Sequence, residues 1–138
     1  MTTPQHYEPP TPDRIVADYV ATMVNAPAVA GVALDPEWKR GGPPALVVFD
    51  DGGTYTWPIL LTTRLRVTVW GSDRSTARGM ASWALGLLMA QTIPGIAKLD
   101  QPTTIIDAVD SKNNGNMASF TIRARARIVP VTHAPYVP

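Results

Sequence analysis

The chain contains no cysteine, which excludes disulfide bonds and metal sites built from thiolates. Its two histidines, His6 and His133, lie near the ends of the chain, where an imidazole is poorly placed for a rigid catalytic triad. Neither a glycine-rich phosphate loop nor a cluster of His, Asp and Glu at metal-binding spacing is present. The sequence therefore predicts a protein that is not an enzyme and that has no catalytic residues, no cofactor and no metal.

Charged side chains are also scarce. Asp, Glu, Lys and Arg make up 17% of the 138 residues, whereas about 25% is typical of globular proteins. The net charge of +1 lacks the bulk basicity that would by itself indicate a nucleic-acid-binding protein. A surface so poor in charge indicates that much of it is covered, most simply by other copies of the same chain.

A membrane or secreted protein is not expected. Residues 79–97 carry no charge and have the length of a membrane span, but Ser82, Gln91, two glycines and the Pro94-Gly95 break interrupt the run. The opening segment MTTPQHYEPP has neither the basic region nor the apolar core of a signal peptide. We therefore predict that the chain is made in the cytoplasm and is neither secreted nor inserted into a membrane.

The most informative stretch covers residues 64–91, with the sequence RLRVTVWGSDRSTARGMASWALGLLMAQ. Leu65, Val67 and Val69 alternate with polar residues, as in a half-buried strand. Ser72 is the expected N-cap of the helix that follows, whose apolar residues recur at helical spacing. Because neither apolar face can stay in water, we expect the helix to fold back over a sheet.

The rest of the chain supplies a second helix and the remaining strands. Pro12 and Asp13 begin an amphipathic helix that ends at residues 25–27. The acidic, glycine-rich residues 50–53 predict a turn, and residues 111–115 predict a hairpin loop. The predicted strands are residues 28–34, 45–49, 54–57, 64–70, 103–109 and 117–129.

These elements predict an α+β fold with one domain at residues 11–130. Its sheet is expected to be mostly antiparallel, with four or five strands and both helices packed on one face. Residues 1–10 and 131–138 are predicted to be extended, proline-rich arms outside the sheet. Either these arms fray, or Tyr7 and Tyr136 anchor them on a neighbouring subunit.

Three further residues invite a contact role. Trp38 lies between charged residues in the loop DPEWKRGGPP, and either folds back on its own domain or packs on a partner. Gly79 and Gly86 lie near one face of a helix, although each costs about 1 kcal/mol relative to alanine. Close packing on the chain's own sheet is the favoured explanation for these glycines, and a contact between subunits is the alternative.

Arginines form the one charged feature with a regular geometry. Alternation places Arg64 and Arg66 on one strand face, and Arg123, Arg125 and Arg127 on another. If the two strands share a sheet, these side chains occupy its side away from the helices. They are then either a solvated face paired with Asp107 or Asp110, or a surface that meets acids of the next subunit, or the lining of a passage for DNA.

The order of these elements resembles that of the tail terminator proteins of long-tailed, siphovirus-type bacteriophages, especially those infecting actinobacteria. The resemblance covers residues 13–130, and its most specific part is the segment from Val67 to Leu88. It also includes the amphipathic helix from Asp13 to Val24, the strand with its acidic turn from Ala45 to Gly53, and the alternating strand from Phe120 to Val129.

This resemblance implies a structural role in the virion, in the tail or neck. Such proteins form a ring, usually of six copies, on the end of the tail tube, stop the addition of tube protein and join the tube to the head-side connector. The implied partners are copies of the chain, the tail tube protein and the connector, with DNA passing through the ring. A head–tail connector or stopper is the nearest alternative, followed by a small cytoplasmic ligand-binding module or enzyme.

Overall fold

The computed structural model describes residues 5–132 and 135–138, and the predicted α+β fold, with two helices and mostly antiparallel strands, is confirmed there. Residues 1–4 and 133–134 of the predicted arms, and with them His133, lie outside the described residues. The elements are, in chain order, β1 (Gln5–Glu8), α1 (Pro12–Met23), β2 (Val29–Gly31), β3 (Ala45–Thr56), β4 (Leu60–Gly71), α2 (Arg74–Ala90), β5 (Lys98–Asp100), β6 (Ile106–Val109), β7 (Asn116–Arg127) and β8 (Val129–Thr132).

The main sheet of the described chain has six strands, whereas the sequence predicted four or five. Its order is β2-β3-β4-β7-β5, and β6 also pairs with β7. Among the described strand pairs, only the short pairing of β2 with β3 is parallel. The strand count differs because β5 and β6 both pair with the same edge of β7. Between them, the Thr103 N–H donates a hydrogen bond to the Thr121 carbonyl of β7. A three-residue strand such as β5 is too short to show an alternating pattern.

One buried apolar cluster joins both helices to one face of this sheet. The helices contribute Val16, Val20 and Leu88 among others, and the largest fully buried side chains of the sheet include Phe120 and Leu65. Since successive strand residues point to opposite faces, the alternate residues between these core positions point away from the helices. We call that second side of the sheet the open face.

The N-cap of α2 is Asp73 rather than the predicted Ser72. The Asp73 carboxylate accepts a hydrogen bond from the Thr76 N–H at 2.7 Å, and this bond lowers the pKa of Asp73. The Ser72 carbonyl instead accepts hydrogen bonds from Arg40 and Asn116. An ionised carboxylate gains more than a hydroxyl at this position because the helix dipole also favours it.

The predicted turn at residues 50–53 is wrong, because β3 continues through it as a strand with a bulge. Asp50 pairs with Leu65 and Gly53 pairs with Thr63, so one extra residue is accommodated in β3. Gly52 has φ +96°, and a Cβ at Gly53 would lie 1.9 Å from the carbonyl oxygen of Thr62. The chain turns later, between Thr56 and Leu60, and β3 and β4 therefore form a longer hairpin than the sequence predicted.

The described parts of the two predicted arms pair with each other. β1 and β8 form a separate two-stranded antiparallel sheet in which Tyr7 is opposite Pro130. The Ile128 N–H donates to the carbonyl of Ile59 at 3.0 Å and so connects this small sheet to the end of the β3–β4 hairpin. The arms were expected to be extended, and their mutual pairing is a long-range contact that composition does not indicate.

Candidate functional site

The five arginines singled out in the sequence lie on two neighbouring strands of the sheet. Arg64 of β4 is directly opposite Arg123 of β7, and Arg125 and Arg127 follow on β7 opposite Thr62 and Leu60. Their neighbours along the strands, such as Leu65, Ile122 and Ala124, belong to the core under the helices. Alternation therefore places Arg64, Arg66, Arg123, Arg125 and Arg127 on the open face, and we call this set the arginine face.

Arg123 is neutralised within the chain. Its guanidinium makes two hydrogen bonds to the carboxylate of Asp100 on β5, both at 2.7 Å. These bonds hold the pKa of Asp100 down at about 2 and raise the pKa of Arg123. Lys98 lies 3.6 Å from the same carboxylate. In such a bidentate pair, the geometry of the two hydrogen bonds adds to the attraction between the charges, so Arg123 is bound to Asp100 within the chain.

Arg66 is also engaged within the chain. Its Nε lies 3.1 Å from Asp51, and the centre of its guanidinium lies 4.3 Å from the centroid of the Phe49 ring. Asp51 belongs to the β3 bulge, which places its carboxylate beside β4. The bulge thus supplies the carboxylate that pairs with Arg66, which its turn-like sequence did not predict.

The partners predicted for the arginine face, Asp107 and Asp110, are occupied elsewhere. Asp107 pairs with Arg74 at 2.7 Å and Arg78 at 3.0 Å beside α2, and these bonds, that with Arg78 foremost, lower its pKa. Asp110 accepts hydrogen bonds from the Lys112 N–H and from the Trp70 indole, which lower its pKa. The prediction was wrong because the pairing of β5 with β7 brings Asp100 closer to the arginines than any residue of β6.

The three other arginines are not matched by a carboxylate among the described ion pairs. Arg64 donates to the backbone carbonyl of Gln101 at 3.2 Å. The Nε of Arg125 is buried and has no hydrogen-bond partner in the described chain. Arg127 is exposed. Together with Lys98, the arginine face brings six cationic side chains against the two carboxylates described above, and it carries a clear excess of positive charge.

Trp38 is buried in its own domain. Only 8% of its surface is exposed, it packs with Trp70 and Val47, and its indole N–H donates to the Pro43 carbonyl at 2.7 Å. The loop around it covers the end of the open face that lies farthest from Arg127. A largely apolar cavity of about 460 Å³ lies beneath this loop. Of the two alternatives for Trp38, the structure shows the one in which the side chain folds back on its own domain.

An exposed aromatic cluster lies at the end of the β3–β4 hairpin. Tyr7, Tyr55, Trp57 and Ile59 are 44%, 52%, 54% and 65% exposed. The Trp57 ring lies 5.5 Å from that of Tyr55 and 6.5 Å from that of Tyr7, both edge to face. We call these four residues the aromatic tip. Sequence reasoning found Tyr7 but missed the others, although the motif TYTWPI was a visible signal. Tyr136 is 88% exposed.

The outer side of α2 is a third exposed surface, formed by Gly79, Trp83, Gly86 and Met89. A Cβ added at either glycine would meet nothing within 4 Å, and Trp83 and Met89 are 39% and 37% exposed. Packing on the chain's own sheet, the favoured explanation for the glycines, is therefore wrong. The sheet is contacted by the opposite side of the helix, through residues such as Ala81. We call this surface the α2 outer face.

Within residues 5–132 and 135–138, no three His, Asp or Glu side chains are grouped as a metal site would require. Among the same residues, no helix combines the length and the hydropathy needed to cross a bilayer. No protein-family model matches the chain, and no curated protein matches it.

Proposed function

We propose that this chain is a structural protein of a long-tailed bacteriophage that forms a ring on the end of the tail tube. The ring ends polymerisation of the tube protein and provides the joint to the head-side connector. The observation that carries this proposal is that exposed apolar side chains form separate surfaces, the aromatic tip and the α2 outer face. In a ring, one such surface would serve the contact with an adjacent subunit and the other the contact with the structure on which the ring is seated.

The aromatic tip has the chemistry of a protein contact. Aromatic residues are enriched where interfaces are buried, because they offer a large apolar area for few rotatable bonds. Covering the exposed half of Tyr7, Tyr55 and Trp57 would remove about 100 Å² of each from water, which is worth about 2–3 kcal/mol per side chain. The mutual ring contacts hold the three side chains in place before a partner arrives. This exposed position at the end of the β3–β4 hairpin suits contact with the tail tube.

The α2 outer face suits a contact between neighbouring copies. No charged residue lies between Arg78 and Lys98 in the sequence, so this side of the helix can be covered without removing a charge from water. The open space over Gly79 and Gly86 allows another backbone to approach closely. We therefore assign the aromatic tip to the tube and the α2 outer face to the adjacent subunit, in a ring of six copies located in the virion.

Ring formation is tested by measuring the mass of the purified protein by light scattering and by imaging it with negative-stain electron microscopy. We expect six copies of the 14.9 kDa chain in a ring that stops polymerisation of purified tail tube protein. A protein that remains monomeric at high concentration and leaves tube length unchanged would refute the proposal. A ring that binds connector but not tube would favour the head–tail connector or stopper instead.

The role of the aromatic tip is tested with the double variant Tyr55→Ser and Trp57→Ser. Because both side chains are half exposed, we expect the variant to fold and to form rings while failing to arrest tube growth. Ile106→Ser and Val109→Ser are the matched control, since these residues of β6 are 66% and 63% exposed at the far edge of the sheet. Equal loss of tube capping in both variants would show that the aromatic tip has no special role.

A further inference from the structure

The arginine face carries more positive charge than its own chain neutralises. Arg123 and Arg66 have carboxylate partners, whereas Arg64 bonds to a carbonyl and the buried Nε of Arg125 has no hydrogen-bond partner in the described chain. Like charges directly opposite each other on adjacent strands destabilise a sheet, and Lys98 of β5 lies directly opposite Arg125. An arrangement that costs stability in the isolated chain indicates an external anionic partner.

The geometry of these side chains suits an extended partner. Arg123, Arg125 and Arg127 alternate along one strand, so neighbouring guanidinium groups emerge about 7 Å apart. Thr62 faces the same side, opposite Arg125, and adds a hydroxyl that can donate a hydrogen bond. The result is a row of donors along the face of a sheet rather than a pocket, as expected for contacts with a chain of phosphates.

The acidic residues of a second copy are poorly suited to fill this role. Eight of the eleven acidic residues of the chain already accept a hydrogen bond within it. An acidic surface that matched the arginine face would have to come from the few that remain, such as Asp13 and Asp18 of α1, which lie about 140° apart around the helix axis. The observations therefore favour a polyanion over an acidic surface of the neighbouring subunit.

We propose that Arg64, Arg125 and Arg127 bind the sugar–phosphate backbone of duplex DNA without reading its bases. Guanidinium groups are suited to phosphate because their planar fork donates two hydrogen bonds to two phosphate oxygens. Backbone contacts fix the position of DNA but carry no sequence information, which is what the passage of a whole genome requires. The proposal rests on the proposed function, since the ring brings the DNA to this face, and it assigns the residues and the chemistry of that contact.

The affinity of one copy is expected to be low and strongly dependent on salt. Each phosphate neutralised by an arginine releases condensed counterions, so three contacts predict a slope of about −3 in a plot of log K against log salt concentration. Non-specific binding of this kind has dissociation constants of about 10⁻⁴ to 10⁻⁶ M. Several copies in one ring would strengthen the binding without any new contact.

The test is fluorescence anisotropy of a labelled duplex of random sequence, titrated with the full chain over a series of salt concentrations. The variant Arg125→Gln with Arg127→Gln removes two of the proposed contacts. The variant Arg14→Gln with Lys39→Gln is the control, because it removes the same charge from exposed positions outside the arginine face, in α1 and in the loop before β3. We expect the first variant to lose about tenfold or more in affinity and about 2 in salt slope, and the control to keep the wild-type slope.

The outcomes separate this proposal from misfolding and from failure of the ring. Thermal unfolding should show that the arginine variant is at least as stable as the wild type, because neither residue has a carboxylate partner among the described ion pairs. Equal losses in the two variants, or no binding of DNA by the wild type, would overturn the proposal. If the arginine variant changes the oligomeric mass and not DNA binding, the face pairs with an acidic protein surface, which also overturns it. DNA binding by a protein that forms no ring would refute the proposed function and leave this inference standing.

Discussion

Replacing Gly79 and Gly86 with alanine separates the stability of one copy from the use of the α2 outer face. Glycine in a helix interior costs about 0.8–1.0 kcal/mol relative to alanine, and the added Cβ would meet nothing within 4 Å at either position. The double variant should therefore be about 2 kcal/mol more stable to unfolding than the wild type. For a chain of 138 residues this corresponds to a rise in melting temperature of about 6 °C.

The same substitution should weaken assembly if another backbone lies against these glycines. Two methyl groups would hold the neighbouring subunit away from α2, so the concentration needed for ring formation should rise while each copy becomes more stable. Both quantities can be measured on one preparation, by urea denaturation of dilute protein and by light scattering across a concentration series. Ser82→Ala is the control, because Ser82 is exposed on the same helix and the change adds no Cβ.

Two results would refute this reasoning in different ways. A double variant that is no more stable than the wild type would show that the positions are not open in the folded chain. A variant that is stabilised and assembles normally would show that the α2 outer face is not a contact between copies. The expected result, in which stability rises and ring formation is lost, has no explanation within an isolated domain and would support a contact between subunits.

Three further predictions follow from single contacts. Asp100→Asn should lower the free energy of unfolding at neutral pH and weaken its decrease at acid pH. The Asp100 carboxylate has a pKa of about 2 beside Arg123, against 3.8 ordinarily, so it contributes stability above pH 4 that is lost as the pH falls towards 2. Urea denaturation at several pH values checks this, and an unchanged decrease at acid pH contradicts it. Gly53→Ala should destabilise the domain by about 3 kcal/mol in urea denaturation, because its Cβ would overlap the Thr62 carbonyl, and a neutral effect would mean that the bulge is not rigid. Trp38→Ala should cost about 3–5 kcal/mol in the same measurement without altering the ring mass, whereas lost assembly with unchanged stability would restore Trp38 as a partner contact.

Local pattern was sufficient for the elements that bury one continuous face. In β4 and α2, the change from a period of two to helical spacing coincides with the change from strand to helix, because each apolar face packs on the same core. The hairpin loop before β7 followed from its turn residues, and the Asp110 N–H does bond to the Gly115 carbonyl. These features depend on contacts between residues that are close in the sequence or share one face.

The errors arise where long-range contacts decide the structure. The segment at Asp50 resembles a turn, but its carboxylate accepts a hydrogen bond from Thr63 of the neighbouring strand, which keeps the segment in the sheet. The partner of Arg123 depends on which strand lies at the edge of β7, and the three residues of β5 give no periodic signal. The exposure of Trp57 depends on where β3 ends. Because the residues of the bulge predict a turn, the true end of the hairpin, and with it the aromatic tip, was not predicted.

The pairing of β1 with β8 has a consequence for the order in which the chain folds and opens. Gln5 pairs with Thr132, so almost the whole chain lies in the loop that must close before the two strands can pair. An isolated two-stranded sheet is marginally stable, and closing so long a loop carries a large entropic cost. Amide hydrogens of Glu8 and Val131 should therefore exchange with solvent well before those of β4 and β7, through a partial opening that leaves the central sheet intact. In that opened state the first and last strands are separate extended segments, each free to add to the edge of another sheet.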